Sequence, residues 1–289
     1  MKPEAPSNHL LSVTRSKAKM WEYDIPIKYH IRILQDPAQL FSLVIGLLGD
    51  VAATINRGNN EEISEQQTNL LFSSYFFDAY LQSKLTETLN PYLELLGAAS
   101  YYLCDLPGSA KVLAGRVPKN GLNLKCQGLE TLLLWLLQAN YSVELLPFDK
   151  SVYQHQISSV IQGMQQFYDN GIGNDKLLND ADILRKQTYE MGSPRQLLFG
   201  DVIAAVIRKK LEHSCWQSLP LYSGITQEKW ATAIKKESFI KEMWSAQHLL
   251  GESEVLKGKS AIVQMPTSTG KTKSIELIIR SAFLAGRTS

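Results

Sequence analysis

Apolar residues recur at helical spacing along most of the chain. Asp36-Pro37 reads as a helix start, an N-cap acid followed by proline in the first turn. Leu40, Val44, Leu47, Leu48, Val51 and Ile55 then mark one face, and Gly58-Asn59-Asn60 closes the element. The pattern predicts further helices from Ser64 to about Leu85, from Asn90-Pro91 past Tyr102, over Leu129–Leu137, over Val152–Phe167, and from Ser193-Pro194 to about His213. The Leu129–Leu137 run is apolar on nearly all sides and should be central. Leu106-Pro107-Gly108 and Asp169–Asn174 read as turn and loop. Residues 1–25 read as an irregular arm, and Leu219–Gly224 as a linker or loop at a candidate domain boundary.

Beyond that linker the pattern changes. A helical stretch carrying Phe239, Met243 and Trp244 is followed by Gly258, and then by Ser260-Ala261-Ile262-Val263-Gln264, a short apolar run that predicts a strand. Ile275, Leu277, Ile278, Ile279 and Phe283 form an apolar helix after it. The pattern therefore predicts a mainly α N-terminal domain over 26–220, followed over 227–289 by a segment that adds a strand, a loop and a helix, the opening of an α/β domain.

Between that strand and helix lies Met265-Pro266-Thr267-Ser268-Thr269-Gly270-Lys271-Thr272. The phosphate loop is written GxxxxGK[ST], and here Gly270, Lys271 and Thr272 fit while Met265 replaces the first glycine. The chemistry requires these types. Backbone N–H groups at a helix start, aided by the helix dipole, face phosphate oxygens. Glycine at 270 allows close backbone approach, Lys271 would reach the β- and γ-phosphates of ATP, and the Thr272 hydroxyl would ligate Mg2+.

Composition changes this picture little. The 289 residues are 44% hydrophobic and 20% charged, enough apolar content for a sizeable core. A net charge of +2 does not diagnose a nucleic-acid partner, although Gln227–Ser289 carries ten Lys/Arg against six Asp/Glu, a local +4. Cys104, Cys126 and Cys215 are scattered and odd in number, and the five histidines lack metal-ligand spacing, which fits a reducing cytoplasm better than a disulfide or zinc framework. No signal peptide is visible, and the longest apolar stretches fall short of the roughly 20 residues of a membrane span. The aromatics Tyr75, Phe76, Phe77, Tyr80, Tyr92, Tyr101 and Tyr102 lie at helical spacings with Leu and Ala, as core residues do. Lys209-Lys210 and Lys235-Lys236 read as solvated faces before they read as phosphate contacts.

Pro266–Thr272 resembles motif I of superfamily 2 helicases of the DExH/DEAD type, written PTxxGKT in that family. Met243-Trp244-Ser245-Ala246-Gln247, with Gln247 lying 24 residues before Lys271, is similar to the aromatic and glutamine that precede motif I there. The resemblance covers about residues 239–287, and it implies that 227–289 is the truncated start, strand–P-loop–helix, of a RecA-like α/β P-loop NTPase domain. It implies that Gln247 reads the adenine edge, that Met265, Pro266, Thr267, Ser268, Thr269 and Gly270 cradle the phosphates, and that Lys271 and Thr272 serve ATP and Mg2+. It further implies the N-terminal part of an ATP-dependent DNA or RNA helicase or translocase, with nucleic acid as partner of the whole motor and a possible protein partner for the helical domain. The family's acid pair and arginine finger lie downstream of motif I, so on this resemblance the 289 residues would bind ATP weakly at best and hydrolyse none. A non-helicase P-loop motor, such as a restriction or antiphage defence ATPase, is the alternative.

Overall fold

The computed structural model describes residues 5–31, 37–58, 60–82, 90–118, 122–138, 151–265 and 270–287. Among the described residues thirteen α-helices follow in chain order: α1 (Ala5–Glu22), α2 (Pro37–Arg57), α3 (Asn60–Gln82), α4 (Asn90–Leu103), α5 (Pro107–Arg116), α6 (Leu129–Leu137), α7 (Gln154–Asn170), α8 (Asn174–Met191), α9 (Pro194–Glu212), α10 (Cys215–Ser223), α11 (Gln227–Ile234), α12 (Ser245–Glu252) and α13 (Lys271–Leu284). Among the described residues there is no strand, and the one extended pairing is a single antiparallel bridge between Ser214 and Glu242. None of the helices described is long and apolar enough to cross a membrane.

The expected α/β opening is therefore corrected to an all-helical fold. Ser260–Gln264, predicted as a strand, has no regular structure, and Ile262 and Val263 are exposed. A strand is stable only when a neighbour takes its N–H and C=O groups. Among the described residues no such neighbour exists, so these groups remain in water.

Further expectations change as well, among them the helical stretch through Phe239, Met243 and Trp244, three residues that lie outside the helices, between α11 and α12. Residues 1–25 are not an irregular arm: α1 occupies most of them, burying Leu11, Thr14 and Ala18 along one stripe. Nor is Leu219–Gly224 a linker, because α10 runs through it with Pro220 inside the helix and ends on the left-handed Gly224. The start of α10 is set by Ser214, whose hydroxyl accepts the Trp216 N–H.

The chain divides into two compact units, Met1–Ser158 with Ala181–Ile207, and Ser159–Asp180 with Arg208–Ser289. In the first, α3 packs on α1, α2 and α4, and α4 on α5 and α6. Val44, Leu47, Leu48, Phe76, Phe77, Leu95 and Leu96 are fully buried there. At Gly97 an added Cβ would lie 2.9 Å from the Phe77 Cβ, so α3 and α4 approach where the sequence has no side chain.

In the same unit, the turn before α6 is built around a buried carboxylate. Glu130 accepts the N–H groups of Leu124 at 2.9 Å, Cys126 at 3.2 Å and Gly128 at 2.9 Å. Lys125, Gln127 and Gly128 have φ values of 60°, 57° and 89°, which turns alternate amides inward onto one point. Burial, reinforced by this carboxylate, pushes the Cys126 thiol up to about 12.

In the second unit, α10 packs on α11, on α12 and on the 3-10 turn Val255–Lys257, which in turn packs on α12 and α13. Trp216 donates to the Tyr168 carbonyl at 3.0 Å, and Trp230 to the Ser223 hydroxyl at 2.9 Å. Lys210, expected on a solvated face, is buried against Glu242 at 2.6 Å, and Tyr168 donates to the same carboxylate oxygen at 2.9 Å.

Candidate functional site

All the site residues described belong to the second unit. The phosphate-loop motif meets regular structure at Gly270, which caps α13 with φ 80° and ψ 33°. A left-handed residue at this place costs a non-glycine side chain about 1–2 kcal/mol, so glycine is the residue this turn requires. Lys271 and Thr272 form the first positions of α13 and are exposed. In a helix starting here the N–H groups of the first turn have no intrahelical acceptor and face the helix end, where the dipole is positive. Pro266, Thr267, Ser268 and Thr269 lie outside the described residues, and Met265 stands before them half-buried and without regular structure.

Gln247 lies against this turn. It is 2% exposed, and a Cβ added to Gly270 would sit 2.9 Å from its Nε2. Both ends of its amide are engaged. Oε1 accepts the Trp244 N–H at 2.8 Å, the return half of a capping box at the start of α12. Nε2 donates to the Ser274 Oγ at 3.1 Å, and that hydroxyl donates to the Gly270 carbonyl at 3.3 Å. The Trp244 ring approaches the same place, 3.9 Å from a Gly270 Cβ.

The far end of α13 is also tied down. The Ser281 hydroxyl and the Arg287 guanidinium both donate to the Leu256 carbonyl. Along the helix Lys273 bonds Glu276 at 2.9 Å and the Ser238 carbonyl at 3.1 Å, while Arg280 bonds Glu276 at 2.9 Å. Lys273 and then Arg280 hold the Glu276 carboxyl below the usual carboxylate range, so this acid is engaged by two cations of its own helix. Leu277 is buried, whereas Ile275, Ile279 and Phe283 are exposed.

Sequence reasoning missed two features. One is Ser274, whose place four residues after Gly270 was its only signal. The other begins on the residue next to Gln247. The His248 Nε2 lies 2.9 Å from the His213 Nδ1, and the His248 Nδ1 lies 3.0 Å from the Tyr222 hydroxyl. Burial, then the neighbouring His213, lowers the His248 pKa. A Cβ at Gly251 would fall 2.2–2.6 Å from atoms of the Tyr222 ring, so α12 rests on α10 through a glycine contact.

Of the basic pairs, Lys209-Lys210 is buried, and Lys235 is exposed with the Asn170 amide oxygen 3.4 Å away. No protein-family model matches this chain and no curated protein matches it.

Proposed function

We propose that this chain holds the phosphates of Mg2+-ATP at the first turn of α13, and that it forms the N-terminal part of a cytoplasmic, ATP-dependent DNA or RNA helicase or translocase. The observation that carries this reading is the left-handed Gly270 placed directly before an exposed Lys271-Thr272 helix start. That turn has the backbone form and side-chain types that phosphate binding needs. Lys271 would contact the β- and γ-phosphates, and Thr272 would hold Mg2+, which neutralises the triphosphate when bound. The nucleic-acid partner is inferred from the motif's resemblance, with the local +4 over Gln227–Ser289 as a supporting bias.

Calorimetry of the 289-residue chain with Mg2+-ATP tests the proposal, with Lys271→Ala as the comparison. A charge-assisted hydrogen bond contributes about 1.5–3 kcal/mol, so the variant should bind roughly ten- to hundredfold more weakly. Equal affinities in the two proteins, or no binding by the wild type, would remove the phosphate-site assignment.

A further inference from the structure

We infer that Gln247 and Ser274 are positioning residues of the phosphate-binding turn, and that Gln247 does not read the base. The inference rests on the phosphate-binding reading above and deepens it. To read an adenine, an amide must present its acceptor and its donor together along one open edge. Here Oε1 accepts the Trp244 N–H at the start of the glutamine's own helix and Nε2 donates to a hydroxyl 27 residues away, which fixes the direction of the amide and leaves each end at most one further bond. At 2% exposure the amide offers no open edge to a ligand.

The bonds instead form a directed relay from one helix start to another. The Trp244 N–H donates to Gln247, Gln247 donates to Ser274, and Ser274 donates to the Gly270 carbonyl. That carbonyl also accepts the Ser274 N–H at 3.0 Å, the first bond of α13. Gly270 is thus held in its left-handed form by a carbonyl fixed twice. Its missing side chain leaves the space in which the Gln247 amide sits. What Gln247 secures is the orientation of the first-turn N–H groups, which a polyphosphate of any base would use equally.

A ligand without a base separates the two roles. Calorimetry with the Mg2+ complexes of inorganic tripolyphosphate, ATP and GTP would compare the wild type, Gln247→Ala, Ser274→Ala and the double variant. Losing one such hydrogen bond corresponds to about a five- to tenfold change in affinity. Each single variant should weaken all three ligands by that common factor. The double variant should be no weaker than the worse single one by more than about twofold, because the residues act as one relay. A side chain that only stabilised the fold would leave the affinities of the folded protein unchanged. Loss confined to ATP with tripolyphosphate unaffected, no loss at all, or fully additive losses would each overturn the inference. If the wild type binds none of the three, the phosphate reading fails, and hydrogen exchange of the unliganded protein decides the positioning role. Faster exchange at the Ser274 amide in Gln247→Ala would uphold it, and unchanged exchange would end it.

Discussion

Replacing Gly270 by alanine perturbs the candidate site in two separable ways. The first is conformational: at φ 80° an L-residue pays about 1–2 kcal/mol for the left-handed region. The second is steric, because the new Cβ would lie 2.9 Å from the Gln247 Nε2. The amide must withdraw, stretching its bonds to Ser274 at 3.1 Å and Trp244 at 2.8 Å. Weakening one or both of these buried bonds costs about 1–3 kcal/mol. Gly224→Ala supplies the control. Its φ of 69° imposes the same backbone penalty, but an added Cβ there meets nothing within 4 Å. Hydrogen exchange of the α13 amides in Gly270→Ala, and of the α10 amides in Gly224→Ala, should show the Gly270 variant losing more local stability by about 1–3 kcal/mol. Equal losses would mean that Gln247 yields at no cost, and the relay would then have no energetic weight.

The other expectations concern packing, protonation and local order. Gly251→Ala drives a Cβ into the Tyr222 ring and should destabilise the second unit by about 1–3 kcal/mol, read as a lower denaturation midpoint; a neutral result would show that α12 slides freely on α10. Burial and then His213 lower the His248 pKa, against the ordinary attraction of Glu252 and Glu212, with the Tyr222 hydroxyl on its other ring nitrogen. Because its folded pKa is lowered, its stability contribution is complete above the unfolded value of about 6.5 and is lost as pH falls below it. Thermal melting should decline on acidification through that range, and His248→Asn should flatten the decline; an unchanged slope would assign it to other groups. Amides over Ile262 and Val263 should exchange far faster than those of Leu133 and Leu134, and matching rates would show a structured 260–264 segment.

Where a single segment carries its own signal, the sequence is readable. The Leu129–Leu137 run buries almost every side chain, and its boundaries coincide with α6. The start of α2 likewise falls on Pro37. α8 escaped because its buried stripe of Leu177, Ala181, Leu184 and Thr188 is interrupted by exposed Ile183, Tyr189 and Met191, which blurs the period. α10 escaped because Pro220 looks like a turn residue, although the actual stop is Gly224 and the actual start is the Ser214 cap. At Ser260–Gln264 the failure was of another kind: an apolar run gives β-propensity but does not say whether a pairing edge exists. At the candidate site Gly270 announced its own backbone requirement, whereas the Gln247–Ser274 bond joins residues that no local period connects.

The turn ahead of α6 has a consequence for how this protein should respond to salts. Three inward-facing amides and a left-handed backbone make a small receptor for negative charge, and Glu130 occupies it as a tethered guest. Cutting the tether with Glu130→Ala leaves the receptor vacant, with the Cys126 amide inside the protein and its partner gone. Formate or acetate, the same carboxylate without its chain, then becomes a stabilising ligand by mass action. The variant should regain melting temperature as formate is added, in excess of any gain from chloride at equal ionic strength, and the wild type should be indifferent to which of the two anions is present.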